Sequence, residues 1–258
     1  MKNIMKKVCL VLMVTIFSFG FSIVGVTPAK ASDSLNLQEK QRVVNTPIYY
    51  VIGEINEDTP DNIPTYGCIN KTSEELVAMN NEDFKSAIKS ELKWAINQKN
   101  AGASIFWHPE ALDISKIVVP ELHAEISDQL KKQTSVQNIG NQSNANTKES
   151  YTPGSTNKTY YLDNKTAGLV FWRFNKRATW EWDANGITSL TTSCWASKIW
   201  PGWTYTGVID EYSAWISNPT SKYTYSQGEF TTNVQNSYPY IRINCYAGGT
   251  SNVSGGFE

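Results

Sequence analysis

Two acidic side chains with strand-like spacing, Glu181 and Asp183, form the best-placed pair for acid–base chemistry in this sequence. On an extended strand, residues two positions apart face the same side, so the two carboxyl groups would lie close together. Carboxyl groups about 5 Å apart can act as nucleophile and proton donor in the double displacement of a retaining glycosidase. The pair therefore raises the hypothesis that the protein hydrolyses glycosidic bonds.

The segment Glu181-Trp182-Asp183 resembles the E-x-D part of the E-x-D-x-x-E motif found in one class of jelly-roll glycoside hydrolases. In that family, carboxylates on one strand serve as nucleophile and acid. The position of the second glutamate is occupied by Gly186, which leaves the pair without its proton donor. A glycoside hydrolase-like enzyme is therefore kept as an alternative function, and no catalytic residue is assigned.

Aromatic side chains are concentrated in the segment SCWASKIWPGW, residues 193–203. Trp200 and Trp203 flank Pro201-Gly202, a dipeptide that forms turns at protein surfaces. Exposed rings on such a turn can stack on the faces of sugars, whereas core packing is the alternative. The predicted ligand-contact residues are Trp200, Trp203, Tyr205 and Tyr212.

Histidine and glutamate side chains, which are common zinc ligands, recur between residues 108 and 125. The residues concerned are His108, Glu110, Glu121, His123 and Glu125. His123 and Glu125 are only two positions apart and would lie on different sides of a helix. The sequence also lacks the motifs of a serine-nucleophile elbow and of a phosphate-binding loop. We therefore assign no metal site and no cofactor.

The first 31 residues have the composition of an export signal. Three lysines precede the apolar segment 8–26, and Ala29-Lys30-Ala31 matches a small-x-small cleavage site. The apolar segment is long enough to cross a bilayer, so a membrane anchor is the alternative, but its glycines and the cleavage site argue against it. We expect a secreted, extracellular protein that begins at Ser32 and has no membrane span.

Charge excludes one class of partner. Removal of the export signal would take away four lysines and no acidic residue, which leaves a net charge of about −5. Neither half of the chain carries the basic surface that binding to a phosphate backbone requires. Nucleic acid is therefore not expected as a partner.

Three cysteines remain after the export signal: Cys68, Cys194 and Cys245. In an oxidising compartment, two of them should pair. Cys194 and Cys245 both lie in strand-like sequence in the second half of the chain, so we predict a disulfide between them. Cys68 would then be free or would pair with another molecule.

A polar linker divides the chain in this interpretation. Residues 133–158 are rich in Asn, Ser, Thr, Gln and Gly and contain few large apolar side chains, which is typical of an exposed segment. The sequence thus predicts an acidic α+β unit at 32–132 and an aromatic-rich β-sandwich at 159–258, immunoglobulin-like or jelly-roll-like.

Within the first unit, the segment IYYVIGEI at 48–55 predicts a strand. Apolar residues at helical spacing behind a cap at Asn81 predict a helix. Its buried face would comprise Phe84, Ile88, Leu92, Ala95 and Ile96. A short strand at 103–107 and a second helix that begins at Pro120 complete this unit.

The second unit contains seven of the nine tryptophans and nine of the 13 tyrosines. Alternating patterns predict strands at 168–174, 178–183, 187–195, 204–216, 222–233 and 240–246. Residues 183–186 would form a hairpin loop, because Gly186 tolerates positive φ. We expect Trp180, Trp182 and Trp195 to pack in the core of the sandwich.

These observations favour a secreted binding or interaction protein whose β-domain recognises cell-envelope carbohydrate, with a surface protein as the other possible partner. A second hypothesis is an antimicrobial or toxin-like protein that cleavage in the linker activates. The third is the glycoside hydrolase-like enzyme. Binding of the fragment 159–258 to purified cell wall or insoluble glycan would favour the first.

Overall fold

A computed structural model describes residues 35–55, 69, 71–136, 150–166 and 169–257. The described residues belong to one compact unit that spans Leu35–Glu258. The predicted export signal at 1–31 and Cys68 lie outside the described residues. No helix in the described part of the chain is long and apolar enough to cross a membrane.

Five helices occupy the first half of the described chain. They are α1 (Leu37–Asn45), α2 (Ser73–Ala78), α3 (Asn81–Asn100), α4 (Glu110–Val118) and α5 (Pro120–Val136). The Asn80 side chain caps α3 one residue before the predicted position. All five apolar residues predicted for its buried face are buried, which confirms the helical spacing.

Two antiparallel sheets complete the fold. Sheet 1 contains β1 (Tyr49–Ile55), β2 (Ile105–Trp107), β3 (Gly154–Thr166), β4 (Leu169–Asp183) and β5 (Gly186–Ser197), in the order β2-β1-β3-β4-β5. Sheet 2 contains β6 (Thr204–Ser217), β7 (Ser221–Thr231), β8 (Asn236–Ser237), β9 (Pro239–Tyr246) and β10 (Ser251–Phe257). Its order is β10-β9-β7-β6, and β8 pairs with β7. The arrangement is consistent with a β-sandwich.

Sheet 1 is buried on both faces along β1. Tyr49 and Val51 belong to a hydrophobic core shared with the helices. Tyr50 and Ile52, which alternate with them, belong to a second core between the two sheets. A strand that is covered on both faces requires an almost continuous apolar run, which explains the sequence IYYVIGEI. The layers are therefore helices, sheet 1 and sheet 2.

The division into two units is not confirmed. Strands β1 and β2 come from the predicted first unit, yet β1 pairs with β3 over seven residues, from Tyr49 opposite Lys165 to Ile55 opposite Thr159. Both ends of the predicted linker are regular structure, since α5 continues to Val136 and β3 begins at Gly154. The immunoglobulin-like or jelly-roll-like type of the sandwich is also not confirmed.

Several strand predictions need correction. The segments 168–174 and 178–183 form one strand, β4, because the polar residues between them, 175–177, pair with β3 and β5 instead of marking a turn. The glycine-rich segment 248–256, for which no strand was predicted, contains most of β10. Gly255 suits this strand, since a Cβ there would lie 2.6 Å from the Tyr240 carbonyl oxygen on β9.

Cys194 and Cys245 have free thiols in the structure. Cys194 on β5 and Cys245 on β9 both pack in the core between the sheets. Both thiols also interact electrostatically with the buried Lys176 ammonium, so the two cysteines share one region of this core. Burial raises the pKa of Cys245 to about 12, which keeps its thiol protonated and unreactive once the sheets have packed. The predicted disulfide stays a prediction.

We expect non-reducing mass spectrometry of secreted protein to find peptides joined through Cys194 and Cys245. The bridge would close a loop of about 50 residues and stabilise the protein by about 4 kcal/mol. A reductant should therefore lower the melting temperature of wild-type protein but not that of a Cys194→Ser, Cys245→Ser double variant. Detection of Cys68 joined to either cysteine would contradict this pairing.

A buried ion pair links β3 to β4. The Arg173 guanidinium donates from Nε and a terminal nitrogen to the two oxygens of Asp163, at 2.5 and 2.6 Å. Both side chains are almost fully buried, and Arg173 also lies 4.1 Å from the ring centre of Tyr161. The bidentate geometry compensates the cost of taking both charges out of water.

We predict that Asp163→Ala lowers the free energy of unfolding by about 3–5 kcal/mol, because it leaves the Arg173 charge buried without its carboxylate. The matched control is Lys158→Ala in the exposed Lys158–Glu54 pair, where we expect a loss below about 1 kcal/mol. Urea unfolding measures both. Equal losses would contradict the expected cost of leaving the Arg173 charge buried without its carboxylate.

Candidate functional site

The structure places three of the four predicted ligand-contact residues against the core between the sheets. Trp200, Trp203 and Tyr205 are partly buried and pack on that core. The Trp203 ring lies 6.0 Å from that of Phe171, and the Tyr205 ring lies 5.0 Å from that of Phe230. The turn at Pro201-Gly202 thus closes one end of the core with its two indoles.

The tryptophans predicted for the core behave differently from one another. Trp180 is fully buried, and its indole N–H donates to the Tyr246 carbonyl at 3.0 Å. Trp182 is partly buried and donates to the Thr152 carbonyl at 2.8 Å. Trp195 is 37% exposed, with the Arg177 guanidinium above its ring. The expectation for Trp195 is wrong, because its neighbours Cys194 and Ala196 face the core between the sheets, which turns Trp195 to the opposite face of β5.

The fourth predicted residue, Tyr212, lines an open groove of about 1000 Å³. The β2 and helix side of the groove is formed by Lys99, Asn100, Phe106, Gln129, Lys132 and Gln133. Sheet 2 contributes Tyr212, Tyr225, Tyr240, Arg242, Asn244, Asn252, Val253, Ser254 and Gly255. A groove of this size is large enough to bury a ligand of several rings.

Three stacked tyrosines cross sheet 2 in this groove. Tyr212 on β6 lies 4.9 Å from Tyr225 on β7, and Tyr225 lies 5.4 Å from Tyr240 on β9, between ring centres. The interplanar angles are 26° and 21°, so the rings are nearly parallel. We call Tyr212, Tyr225 and Tyr240 the tyrosine row. Because inner ring faces cover one another, the row offers edges, hydroxyl groups and the outer ring of Tyr212, which is 46% exposed.

A chain of hydrogen bonds runs beside the tyrosine row. Arg242 Nε donates to the Asn244 side chain at 3.1 Å, and Asn244 donates to the Asn252 side chain at 2.7 Å. Asn252 in turn donates to the Tyr246 hydroxyl at 2.9 Å. The Arg242 guanidinium lies 3.9 Å from the ring centre of Tyr223. These contacts fix the orientation of two amides and one guanidinium before any ligand arrives.

Glutamines on α5 hold the helix side of the groove in place. Gln129 accepts from the Trp107 indole at 2.8 Å, and Gln133 bonds both the N–H and the carbonyl of Trp107. Residues four apart lie on one face of a helix, so both amides reach β2 together. Lys99 donates to the Ile105 carbonyl and lies 5.1 Å from the Phe106 ring centre. The lining residues of this side are therefore tied to sheet 1.

One member of the carboxylate pair suggested by the sequence, Asp183, has a structural role. Asp183 accepts the backbone N–H groups of Asn185 at 2.7 Å and Gly186 at 3.1 Å, which closes the predicted hairpin loop. These backbone hydrogen bonds lower the pKa of Asp183. Gly186 has φ of 145°, and a Cβ there would lie 2.3 Å from the Pro219 carbonyl oxygen. Neither Glu181 nor Asp183 lines the groove.

The two histidines are used within the fold. His108 lies 3.2 Å from the Asn164 side-chain oxygen, and burial lowers its pKa although Glu110 and Asn164 act in the opposite direction. His123 Nδ1 lies within hydrogen-bonding distance of the Ser115 hydroxyl and of the Leu112 carbonyl oxygen, 3.1 Å from each. In the ranges that the structure describes, no three His, Cys, Asp or Glu side chains are grouped to hold a metal ion.

A second group of reactive side chains lies between the sheets and ends at the exposed Glu211. Lys176 Nζ donates to Ser226 at 2.5 Å, and Ser226 donates to Glu211 at 2.9 Å. Burial lowers the pKa of Lys176 to about 8. Lys176 and Ser226 are both fully buried, so a substrate has no access to them. The open groove is therefore the better candidate for function.

The sequence predicted one residue of the groove and missed the others. A signal was present in PYIRINCY, residues 239–246, where buried and half-buried positions alternate. This alternation puts Tyr240, Arg242 and Asn244 on the outer face of sheet 2. No local pattern could connect them with Lys99 or Gln133, since those residues reach the groove only through tertiary packing.

No family model matches this chain, and neither a curated protein nor a solved structure is significantly similar to it. The function therefore has to be argued from the chemistry of the groove.

The Lys99 amine in the groove has a shifted pKa. Burial lowers the pKa of Lys99 to about 8. Because the unfolded chain holds this proton more tightly, with a pKa of about 10.4, the contribution of Lys99 to stability rises with pH between these two values. At neutral pH the side chain is still mostly charged.

We expect an NMR titration of the Lys99 ε-carbon to show a midpoint near pH 8 in folded protein. The same signal should titrate near pH 10 in urea, where burial is lost. A Lys99→Arg variant assigns the signal by its disappearance. A folded midpoint at or above pH 10 would contradict the burial of this amine.

Proposed function

We propose that this protein is an extracellular binding protein whose groove recognises carbohydrate, with cell-envelope glycan as its ligand. The observation that carries the proposal is the tyrosine row beside ordered amide side chains in one open groove. The export signal read from residues 1–31 supports an extracellular location.

The chemistry of the groove suits a sugar. Pyranose rings present apolar C–H faces, which pack on aromatic rings such as the exposed ring of Tyr212. They also present hydroxyl groups, which donate and accept hydrogen bonds, as do the amides of Asn244 and Asn252. A tyrosine hydroxyl can do the same, and the row supplies three of them.

The polar side chains of the groove are preorganised, which is expected of a binding site and not of an ordinary exposed surface. Asn244 and Asn252 are held by each other and by Arg242 and Tyr246, so a ligand need not order them. Immobilising a flexible side chain on binding costs about 0.5–1.5 kcal/mol, and here that cost is met during folding. The tyrosines likewise support one another through their stacked rings.

We predict that wild-type protein binds purified bacterial cell wall and soluble oligosaccharides released from it. Tyr212→Ala should weaken this binding by about tenfold, because it removes the exposed ring of the tyrosine row. Co-sedimentation measures binding to the insoluble wall, and isothermal titration calorimetry measures binding to the soluble oligosaccharides.

The matched control is Trp195→Ala, which removes an exposed aromatic ring from sheet 1 outside the groove. This variant should bind as the wild type does. Equal weakening by both variants would place the binding surface elsewhere. Failure of the wild-type protein to bind any glycan would overturn the proposed function.

A further inference from the structure

We infer that the groove selects saccharides that carry an oxyanion, a carboxylate or a phosphate, and that Arg242 binds this group. The inference rests on the proposed function and names the class of sugar that the same groove takes. The charges of the lining residues and the geometry of the Arg242 guanidinium support it.

The groove is lined by positive charge, although the chain as a whole has a negative net charge. Among the described lining residues there are three cations, Lys99, Lys132 and Arg242, and no carboxylate. The whole chain carries a formal net charge of −1, and about −5 without the predicted export signal. A groove lined by one sign of charge raises the local concentration of ligands of the opposite sign.

Arg242 is oriented to present its terminal nitrogens. Its guanidinium stacks on Tyr223 at 3.9 Å from the ring centre, and Nε is bound to Asn244. Among the hydrogen bonds of the described residues, Arg242 uses Nε alone. A planar guanidinium fixed in this way can give two parallel N–H donors to one carboxylate or phosphate.

Carboxylates near the groove act at its margins. Glu125 accepts from Asn100 at 3.4 Å on the helix side. On the other side, burial and then Tyr223 and Asp210 raise the pKa of Tyr212, whereas Arg242 lowers it. Asp210 does not line the groove, while Arg242 does. The positive charges therefore line the groove, and these two carboxylates lie outside its lining.

The test compares two pairs of ligands, and the members of each pair share the same sugar but differ in charge. Calorimetry with the full mature chain measures binding of tri-galacturonic acid and its neutral methyl ester, and of maltotriose with and without a phosphate on one sugar. We expect the acid to bind at least tenfold more tightly than its ester. This advantage should shrink as salt rises from 50 to 500 mM, because salt screens charge interactions.

Variants assign the effect to the groove. Arg242→Gln should remove the preference for the acid over the ester, and any smaller loss of affinity for the ester would reflect the lost hydrogen bond from Arg242 Nε to Asn244. Lys132→Gln, at an exposed helix position, should reduce the salt dependence without disturbing the fold. The matched control is Arg177→Gln, since Arg177 also lies over an aromatic ring, Trp195, but on sheet 1 outside the groove. Circular dichroism checks that each variant is folded.

The outcomes separate the inference from the proposed function. Tighter binding of the acid than of its ester identifies a carboxylate as the anion, and tighter binding of phosphorylated than of unphosphorylated maltotriose identifies a phosphate; either result supports the inference. Equal binding within both pairs overturns it while leaving carbohydrate recognition intact. Absence of binding to all four ligands and to purified cell wall overturns the proposed function itself.

Discussion

The pairing of β1 with β3 is the interaction on which the rest of the structure depends. It joins residues 49–55 to residues 159–165, so it holds together parts of the chain about 100 positions apart. Once β1 is in place, its alternating side chains enter two cores at once. The helices need the first core and sheet 2 needs the second, so neither layer is independent of this strand.

The groove is held rigid by the same pairing, because both of its sides are attached to sheet 1. Its helix side is attached to β2 through Gln129 and Gln133, and β2 is attached to β1. Its other side is sheet 2, where Tyr50 of β1 also reaches Gly255 of β10 with a hydrogen bond of 3.4 Å. A binding surface assembled on strands and a tethered helix holds its side chains more precisely than one on loops.

Local patterns predicted much of the secondary structure and little of the site. The helical spacing from Phe84 to Ile96 was sufficient to predict α3, and the apolar run at 48–55 was sufficient to predict β1, because each pattern depends on the burial of one segment. The alternation around Tyr240 and Arg242 also indicated a strand with one buried face. What the sequence could not reveal is which distant surfaces meet, since Lys99 and Arg242 are brought to one groove by packing alone. Tertiary contact also explains why a polar segment, Gly154 to Lys158, is a strand: it pairs with β4.

The shared sheet changes what a cut between α5 and β3 would do. Cleavage in residues 137–149 would break the covalent path between β1 and β3 but none of their hydrogen bonds. The two pieces would stay together as a nicked, non-covalent complex, in the manner of fragment complementation. Release of residues 150–257 as a free domain would expose Tyr50, Ile52 and their partners to water, at a cost of about 25 cal/mol for each Å² of apolar surface. Proteolysis at this site would therefore leave the groove assembled, since both of its sides remain attached to sheet 1 through contacts that the cut does not touch.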